Sequence, residues 1–156
     1  MNYFENIQKS MDSSRIFRPG VRAVIVNNEK EILLQHRADN TLWGLPGGAV
    51  ELDETAYEAL VREVKEETSL DVIQAEPMAL YSGVKQRFSY PNGDRVQCFA
   101  IAFIVSQWKG QPQADGEEGL EVCFFPLSQL PDNIVHIHTA TIADYLRYDG
   151  KFILSE

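Results

Sequence analysis

The apolar positions of this chain change period several times, and each change marks an element. Val21 to Val26 is rich in β-branched residues and reads as a buried strand. Asn27-Asn28 supplies a turn, and Ile32 to Gln35 reads as the strand returning from it. Gly44-Leu45-Pro46-Gly47-Gly48 cannot form regular helix, since proline and paired glycines both oppose it. From Thr55 to Thr68, Ala56, Tyr57, Leu60, Val61 and Val64 recur at helical spacing, and Thr55-Ala56-Tyr57-Glu58 forms a capping box with Thr55 as N-cap. Val72 to Val84 and Val96 to Val105 read as long strands, with Asn92-Gly93 as the hairpin turn between them. Glu121 to Phe125 is a further strand. His138 to Tyr148 is a helix with Ile142, Tyr145 and Leu146 at helical spacing, ending near Gly150.

Helices and strands do not alternate regularly, which places the chain in the α+β class, an α/β/α sandwich with a mixed central sheet. Tyr3, Phe4, Ile7 and Met11 share a helical face. Residues 1–20 are therefore expected to form an N-terminal arm containing a short helix, ended by Pro19-Gly20, with residues 21–156 as one domain. Such an arm would pack on the domain or on a second subunit, so a homodimer is the assembly it would favour.

Bulk properties narrow the function classes. A chain of 156 residues, 44% hydrophobic, can bury a real core, which excludes a disordered protein. The formal net charge of -9 argues against nucleic-acid and membrane-surface partners, which need a basic face. It leaves room for a phosphorylated small molecule, because a bound divalent cation reverses the local field. No apolar run has the length of a membrane span, and Met1 to Ser14 lacks the apolar segment of a secretory signal. Cys98 and Cys123 each lie in apolar surroundings and are expected to be buried free thiols of a reducing compartment. The expected location is the cytoplasm.

The closing turns of the Thr55–Thr68 helix carry the candidate chemistry. Glu63, Glu66 and Glu67 crowd there, offset only by Arg62 and Lys65. Each carboxylate near a helix C-terminus opposes the macrodipole at a cost of about 0.3–1 kcal/mol. At about 100° per residue, Glu63 and Glu67 fall at the edge of the apolar arc rather than opposite it. Clustered, partly buried carboxylates call for a cation, and three oxygen ligands suit Mg²⁺ or Mn²⁺. The alternative at this level is a solvated acidic face paired with Arg62 and Lys65. Just upstream, Gly47-Gly48 lets backbone approach a ligand closely and offers carbonyl oxygens, while the missing Gly-Lys-Ser/Thr excludes a P-loop.

Gly48, Glu54, Arg62, Glu63, Val64, Glu66, Glu67 and Leu70 together resemble the Nudix box. That pattern runs Gly, five residues, Glu, seven residues, Arg-Glu, an aliphatic residue, any residue, Glu-Glu, any residue, Gly, an aliphatic residue. The one departure is Ser69 in place of glycine, which predicts altered loop geometry after the helix but intact carboxylates. Gln35-His36-Arg37, Trp43 to Gly48 and Glu121 to Leu130 are similar to the same family, so the likeness spans Val21 to about Tyr148. It implies the Nudix fold and Mg²⁺-dependent hydrolysis, with Mn²⁺ able to substitute. The bond cut would be the pyrophosphate bond of a nucleoside diphosphate linked to another moiety, giving a nucleoside monophosphate and a phosphorylated product. By position, Glu63, Glu66 and Glu67 would hold metal with the carbonyl of Gly47. Arg62 would orient Glu63, Glu54 would support the helix and its turn, and Glu118 would join the metals or act as base, with Glu117 its near alternative. A solvated loop is the competing reading for that last pair.

Arg37, Lys85, Arg87 and Arg95 are candidate phosphate or ribose contacts, Arg37 foremost, against the alternative of ordinary surface charges, with Gly48 giving the substrate room. Tyr81, Phe88 and Tyr90 are candidates to stack on a base, against the alternative of ordinary packing. His136 and His138 lack companion ligands for a metal site, and His36 beside Arg37 reads as structural or substrate-adjacent rather than catalytic. Gly83 to Phe88 lacks the proline of the ADP-ribose subgroup and the tyrosine of the dinucleoside-polyphosphate subgroup. Two other functions remain open: a pyrophosphohydrolase acting on 5′-triphosphate RNA, and a non-catalytic nucleotide sensor. The acidic balance counts against the first and the complete glutamate set against the second.

Overall fold

Strand β1 (Ile16–Ile25) alternates its side chains between two apolar cores, and the fold is arranged about it. The structure, a computed structural model, describes residues 15–155. The expected helix of the N-terminal arm lies outside the described residues. In chain order β1 is followed by β2 (Glu31–Arg37), β3 (Trp43–Gly44), β4 (Gly47–Ala49) and α1 (Ala56–Thr68). Then come β5 (Asp71–Tyr81), a 3₁₀ turn (Val84–Gln86), β6 (Arg87–Ser89), β7 (Arg95–Lys109), β8 (Gly119–Pro126), α2 (His136–Leu146) and β9 (Ile153–Leu154).

The larger sheet has the order β4-β1-β7-β5-β9, with β6 also paired to β7; β1–β7 and β5–β9 are parallel and the other pairs antiparallel. A smaller antiparallel sheet runs β3-β2-β8. On one face Val21, Ala23 and Ile25 of β1 meet Leu60 and Val64 of α1, with Leu33, Phe103 and Val105. On the other, Val24, Leu34, Met78, Ala79 and Ala102 meet Ile142 of α2. The α+β sandwich with a mixed sheet expected from the sequence is thus the observed architecture. Leu60 and Val64 are both fully buried, each contributing about 1.5–3 kcal/mol of burial, enough to hold α1 against the sheet despite its acidic end.

Several boundaries differ from the sequence reading. β1 begins at Ile16, not Val21, so the arm cannot extend to residue 20. Parallel pairing with β7 carries the strand through Pro19-Gly20, from Ile16↔Val96 to Ile25↔Val105. The Asn27 turn exists, with the Asn27 side chain accepting from the Glu29 and Glu31 amides at 3.0 Å. Yet β1 and β2 share only the Val26↔Ile32 bridge, and β2 turns away to pair with β8. The Asn92-Gly93 turn joins the short β6 to β7, because β5 ends at Tyr81. Cys98 is buried as expected, while Cys123 is only half-buried; both are free. No helix among the described residues is long and apolar enough to cross a membrane.

Ser69 corrects a further expectation. It takes the left-handed cap conformation itself, φ 64° and ψ 6°, so the loop keeps the geometry that glycine would give. Local hydrogen bonds offset the strain: the Ser69 amide donates to the Lys65 carbonyl at 3.0 Å, and Ser69 Oγ to the Gln113 carbonyl at 3.2 Å.

Candidate active site

The α1 capping box forms as read, with the Glu58 amide donating to Thr55 Oγ1 at 3.2 Å and the Thr55 amide to Glu58 at 2.8 Å. The box sets where the helix starts; the packing of Leu60 and Val64 on the sheet sets its rotation, and rotation decides which glutamates turn inward. Glu63 and Glu67 are buried, 8% and 4% exposed, whereas Glu66 faces solvent. Burial pushes the carboxyl of Glu67 up to about 8, and that of Glu63 upward as well. Glu118 adds its negative charge to both, which puts the loop acid within electrostatic reach of the helix pair.

Arg62 organises the surrounding polar groups. Its Nε and Nη2 grip the two Glu54 oxygens at 2.8 and 2.9 Å, its Nη1 donates to Glu63 Oε1 at 2.8 Å, and its Nη2 also reaches the Ala49 carbonyl at 3.0 Å. Glu54 in turn accepts from the Glu51 amide at 3.0 Å. Arg62 and that amide hold the Glu54 carboxyl down at about 2. Glu66 lies 3.4 Å from Arg62 Nη1, at the rim.

Strand β4 lies under these groups because it pairs with β1, Val21 opposite Gly48 and Arg22 opposite Gly47. The Gly47 amide donates to Glu67 Oε2 at 2.8 Å. Gly47 has φ 150°, and a Cβ there would collide with the Val21 carbonyl. A Cβ on Gly48 would lie 2.5 Å from Glu63 Oε1. The glycine pair is therefore what lets two buried carboxylates sit on backbone.

The cleft has two connected parts that share Arg18, Arg37, Gly47, Gly48 and Tyr90. The acidic part, partly open to solvent, is lined by Glu63, Glu67, Glu117 and Glu118. The more apolar part, the narrower of the two, is lined by Leu45, Phe88, Ala100, Val135 and Ile137. Arg37 stands between them, held by Asp39 through bonds of 3.0 and 2.7 Å.

Of the residues singled out in the sequence, Glu63, Glu67, Glu118, Arg37, Gly47 and Gly48 meet in this cleft, with Arg62 and Glu54 behind them. Glu66 does not join them: among the described residues no three His, Cys, Asp or Glu side chains converge at metal-ligand spacing. The helix period sets Glu66 roughly opposite the apolar arc, which leaves it exposed with Arg62 as its 3.4 Å neighbour. The donor set nonetheless suits a hard divalent cation, since it is all oxygen and two carboxylates are buried without full compensation.

Phe88 and Tyr90 line the cleft, edge to face at 4.8 Å. Tyr81 does not; it is buried, with its hydroxyl donating to Asp144 at 2.8 Å. Lys85, Arg87 and Arg95 lie outside the cleft lining. The two late histidines serve different partners, His136 the Arg87 carbonyl and His138 the Leu45 amide. His36 bonds the Thr41 carbonyl and stacks on Trp43.

Sequence reasoning missed three cleft residues. Arg18 donates to Tyr90 Oη at 2.9 Å. Arg22 is buried beneath the apolar part, over the Tyr81 ring at 5.0 Å and bonded to Gln86 and Thr141. Gln35 is 1% exposed. A charge at position 22 and an amide at 35, each inside an apolar strand pattern, were the available signals.

The comparisons with known proteins agree with this geometry. The family model described as the NUDIX domain matches residues 16–145. An ADP-ribose pyrophosphatase of Methanocaldococcus jannaschii is 37% identical over 128 residues, covering 80% of this chain and 70% of that protein. A MutT-like protein of Streptomyces ambofaciens is 44% identical over 137 residues, covering 86% and 80%. The crystal structure of a MutT NUDIX hydrolase from Burkholderia pseudomallei superposes with a TM-score of 0.70 at 25% identity, covering 83% of this chain and 98% of that one. With glutamates, arginine and glycines of the box assembled around one cleft and the family model spanning nearly the whole described fold, the chain belongs to the Nudix hydrolases.

Proposed function

We propose that this protein hydrolyses the pyrophosphate bond of a small nucleoside diphosphate derivative with Mg²⁺, Mn²⁺ serving in its place. The observation carrying this reading is the pair of buried carboxylates, Glu63 and Glu67, facing a cleft that continues into an apolar recess. The acidic part suits a cation-neutralised diphosphate, and the recess with Phe88 and Tyr90 suits a flat base.

Glu63, Glu67 and the Gly47 carbonyl would hold the metal in this reading, with Glu66 at the rim as the further carboxylate available to it. A divalent cation held there would supply charge neutralisation of the diphosphate and a lowered pKa for its bound water. Arg62 holds Glu63 in one rotamer, and Glu54 holds Arg62 by its two-oxygen grip. Arg37, already oriented by Asp39, meets the diphosphate at the junction of the two parts. Glu118, across the cleft from α1, takes the proton of the attacking water or completes the metal set. Gly48 leaves room for both Glu63 and the substrate.

The test is a panel of ADP-ribose, nucleoside triphosphates and 5′-triphosphate RNA, each with Mg²⁺ or Mn²⁺ and read by product analysis. Metal-dependent cleavage of a small nucleotide with release of nucleoside monophosphate is expected. Preference for the RNA end would replace the substrate class, and metal-dependent binding without cleavage of any member would replace the enzyme with a sensor.

A further inference from the structure

Among the described residues one buried side-chain polar atom has no hydrogen-bond partner, the carboxamide nitrogen of Gln35. Gln35 sits on β2 two residues after Leu33, so both point to the α1 side of the strand. Leu33 packs in the α1 core. Gln35 instead borders the acidic part of the cleft with Glu63, Glu67 and Glu118. An apolar side chain would simply extend the core here. A buried amide with two unspent donors is costly unless some working state gives it an acceptor.

The surroundings point to which acceptor that is. Glu63 and Glu67 each have a donor already, from Arg62 and the Gly47 amide, and in the proposed reading their remaining oxygens would serve the metal. The element lying directly on the amide is the start of β8: a Cβ at Gly119 would come within 2.5 Å of Gln35 Nε2. Glycine at 119 therefore admits the carboxamide against the segment that carries Glu118. The backbone of that segment is pinned. Asp115 Oδ1 accepts from the Glu117, Glu118 and Gly119 amides at 2.9, 3.1 and 3.0 Å, and the Ala38 amide donates to the Glu118 carbonyl at 3.0 Å. With the main chain anchored, the side chain of Glu118 is what remains to be placed.

We propose that Gln35 is a positioning residue whose amide donates to the Glu118 carboxylate in the working site and holds that acid toward Glu63 and Glu67. A neutral donor fits the task. Lysine or arginine would neutralise the acid and oppose a metal ion, whereas an amide orients a carboxylate and leaves its charge in place. The inference rests on the reading of Glu118 as a working acid of the proposed pyrophosphohydrolase.

The test is a double-mutant cycle of Gln35→Met, which keeps the shape and removes both donors, with Glu118→Gln. Thermal unfolding is followed in every variant. Turnover and KM are measured on the fastest-cleaved nucleotide of the panel above, and Mn²⁺ affinity by calorimetry without nucleotide. Gln35→Met should leave the melting temperature unchanged or raised, lower kcat by roughly tenfold and leave KM within about twofold. It should also weaken Mn²⁺ binding. Both losses should shrink to about twofold or less in the Glu118→Gln background. Independent, multiplying losses would overturn the proposal, as would a lowered melting temperature with unchanged kcat. If wild-type protein cleaves no member of the panel, the functional reading falls, and the Mn²⁺ cycle alone decides: coupled losses uphold the role of Gln35, uncoupled or absent ones refute it.

Discussion

Gly48→Ala separates the fold from the chemistry at a single atom. The added Cβ would sit 2.5, 2.6 and 2.8 Å from Oε1, Cδ and Oε2 of Glu63, all three atoms of one carboxylate group. Ordinary contact begins near 3.4 Å, so Oε1 must retreat by about 0.9 Å. Arg62 cannot follow freely, because Glu54 and the Ala49 carbonyl hold it, and the 2.8 Å bond from Arg62 to Glu63 must stretch or break. The backbone is not strained, since Gly48 lacks the positive φ of its neighbour. The cost to folding should therefore be small, about 1 kcal/mol, the scale of one weakened hydrogen bond. A misplacement of this size at a working carboxylate should lower kcat about 10²-fold. The assay pairs urea unfolding of the metal-free protein with Mg²⁺-dependent cleavage of ADP-ribose and nucleoside triphosphates. Turnover within about threefold of wild type, with unchanged Mn²⁺ affinity, would show that the position of Glu63 does not matter and would refute the reasoning.

Other perturbations test neighbouring parts of the argument. Gly47→Ala should destabilise far more than Gly48→Ala, by about 2 kcal/mol or more in urea unfolding, because its clash is with the Val21 backbone and its φ is 150°. Glu67→Gln should raise the stability of metal-free protein near pH 7, because folding forces a proton onto this carboxyl, raised to about 8, and the amide escapes that cost while still accepting from the Gly47 amide; turnover should fall at least ~10²-fold, and a stability loss would refute the desolvation argument. Glu66→Gln should cost a similar factor in turnover with little change in stability, since its side chain is exposed; near-normal turnover would remove it from the metal set. His138 is held neutral, its pKa well below the usual value through burial first and then Arg22, while Nδ1 accepts from the Leu45 amide at 3.0 Å. Below about pH 6.5 the unfolded chain binds a proton that the folded state refuses, so stability should fall as pH drops from about 7 to 5.5. That part of the slope should vanish in His138→Gln, and identical slopes in the two proteins would exclude His138 as its source.

Much of the site could be read before the fold because it is local. Thr55 and Glu58 start the helix, and its period of 3.6 turns Glu63 and Glu67 toward the apolar arc, as their burial bears out. The same periodicity sets Glu66 away from that arc, and the structure finds it exposed beside Arg62. Tyr81 was as good a base-stacking candidate by pattern as Tyr90, but only packing decides that one hydroxyl is spent on Asp144 while the other meets Arg18 at the cleft. At Ser69, local preference argued for a changed loop, and tertiary bonds to Gln113 kept the left-handed turn.

By itself the sequence determined the helix of glutamates, the glycine pair, the α+β class and the family, since each depends on side-chain spacing within about 25 consecutive residues or on alternation along a strand. The tertiary structure alone decided that β1 runs back to Ile16, that β2 leaves its neighbour for β8, and that Gln35 lies beneath Gly119. Those outcomes follow from pairing between segments far apart in the chain. Alternation reports which side of a strand is apolar, and carries no information about which distant strand will lie beside it.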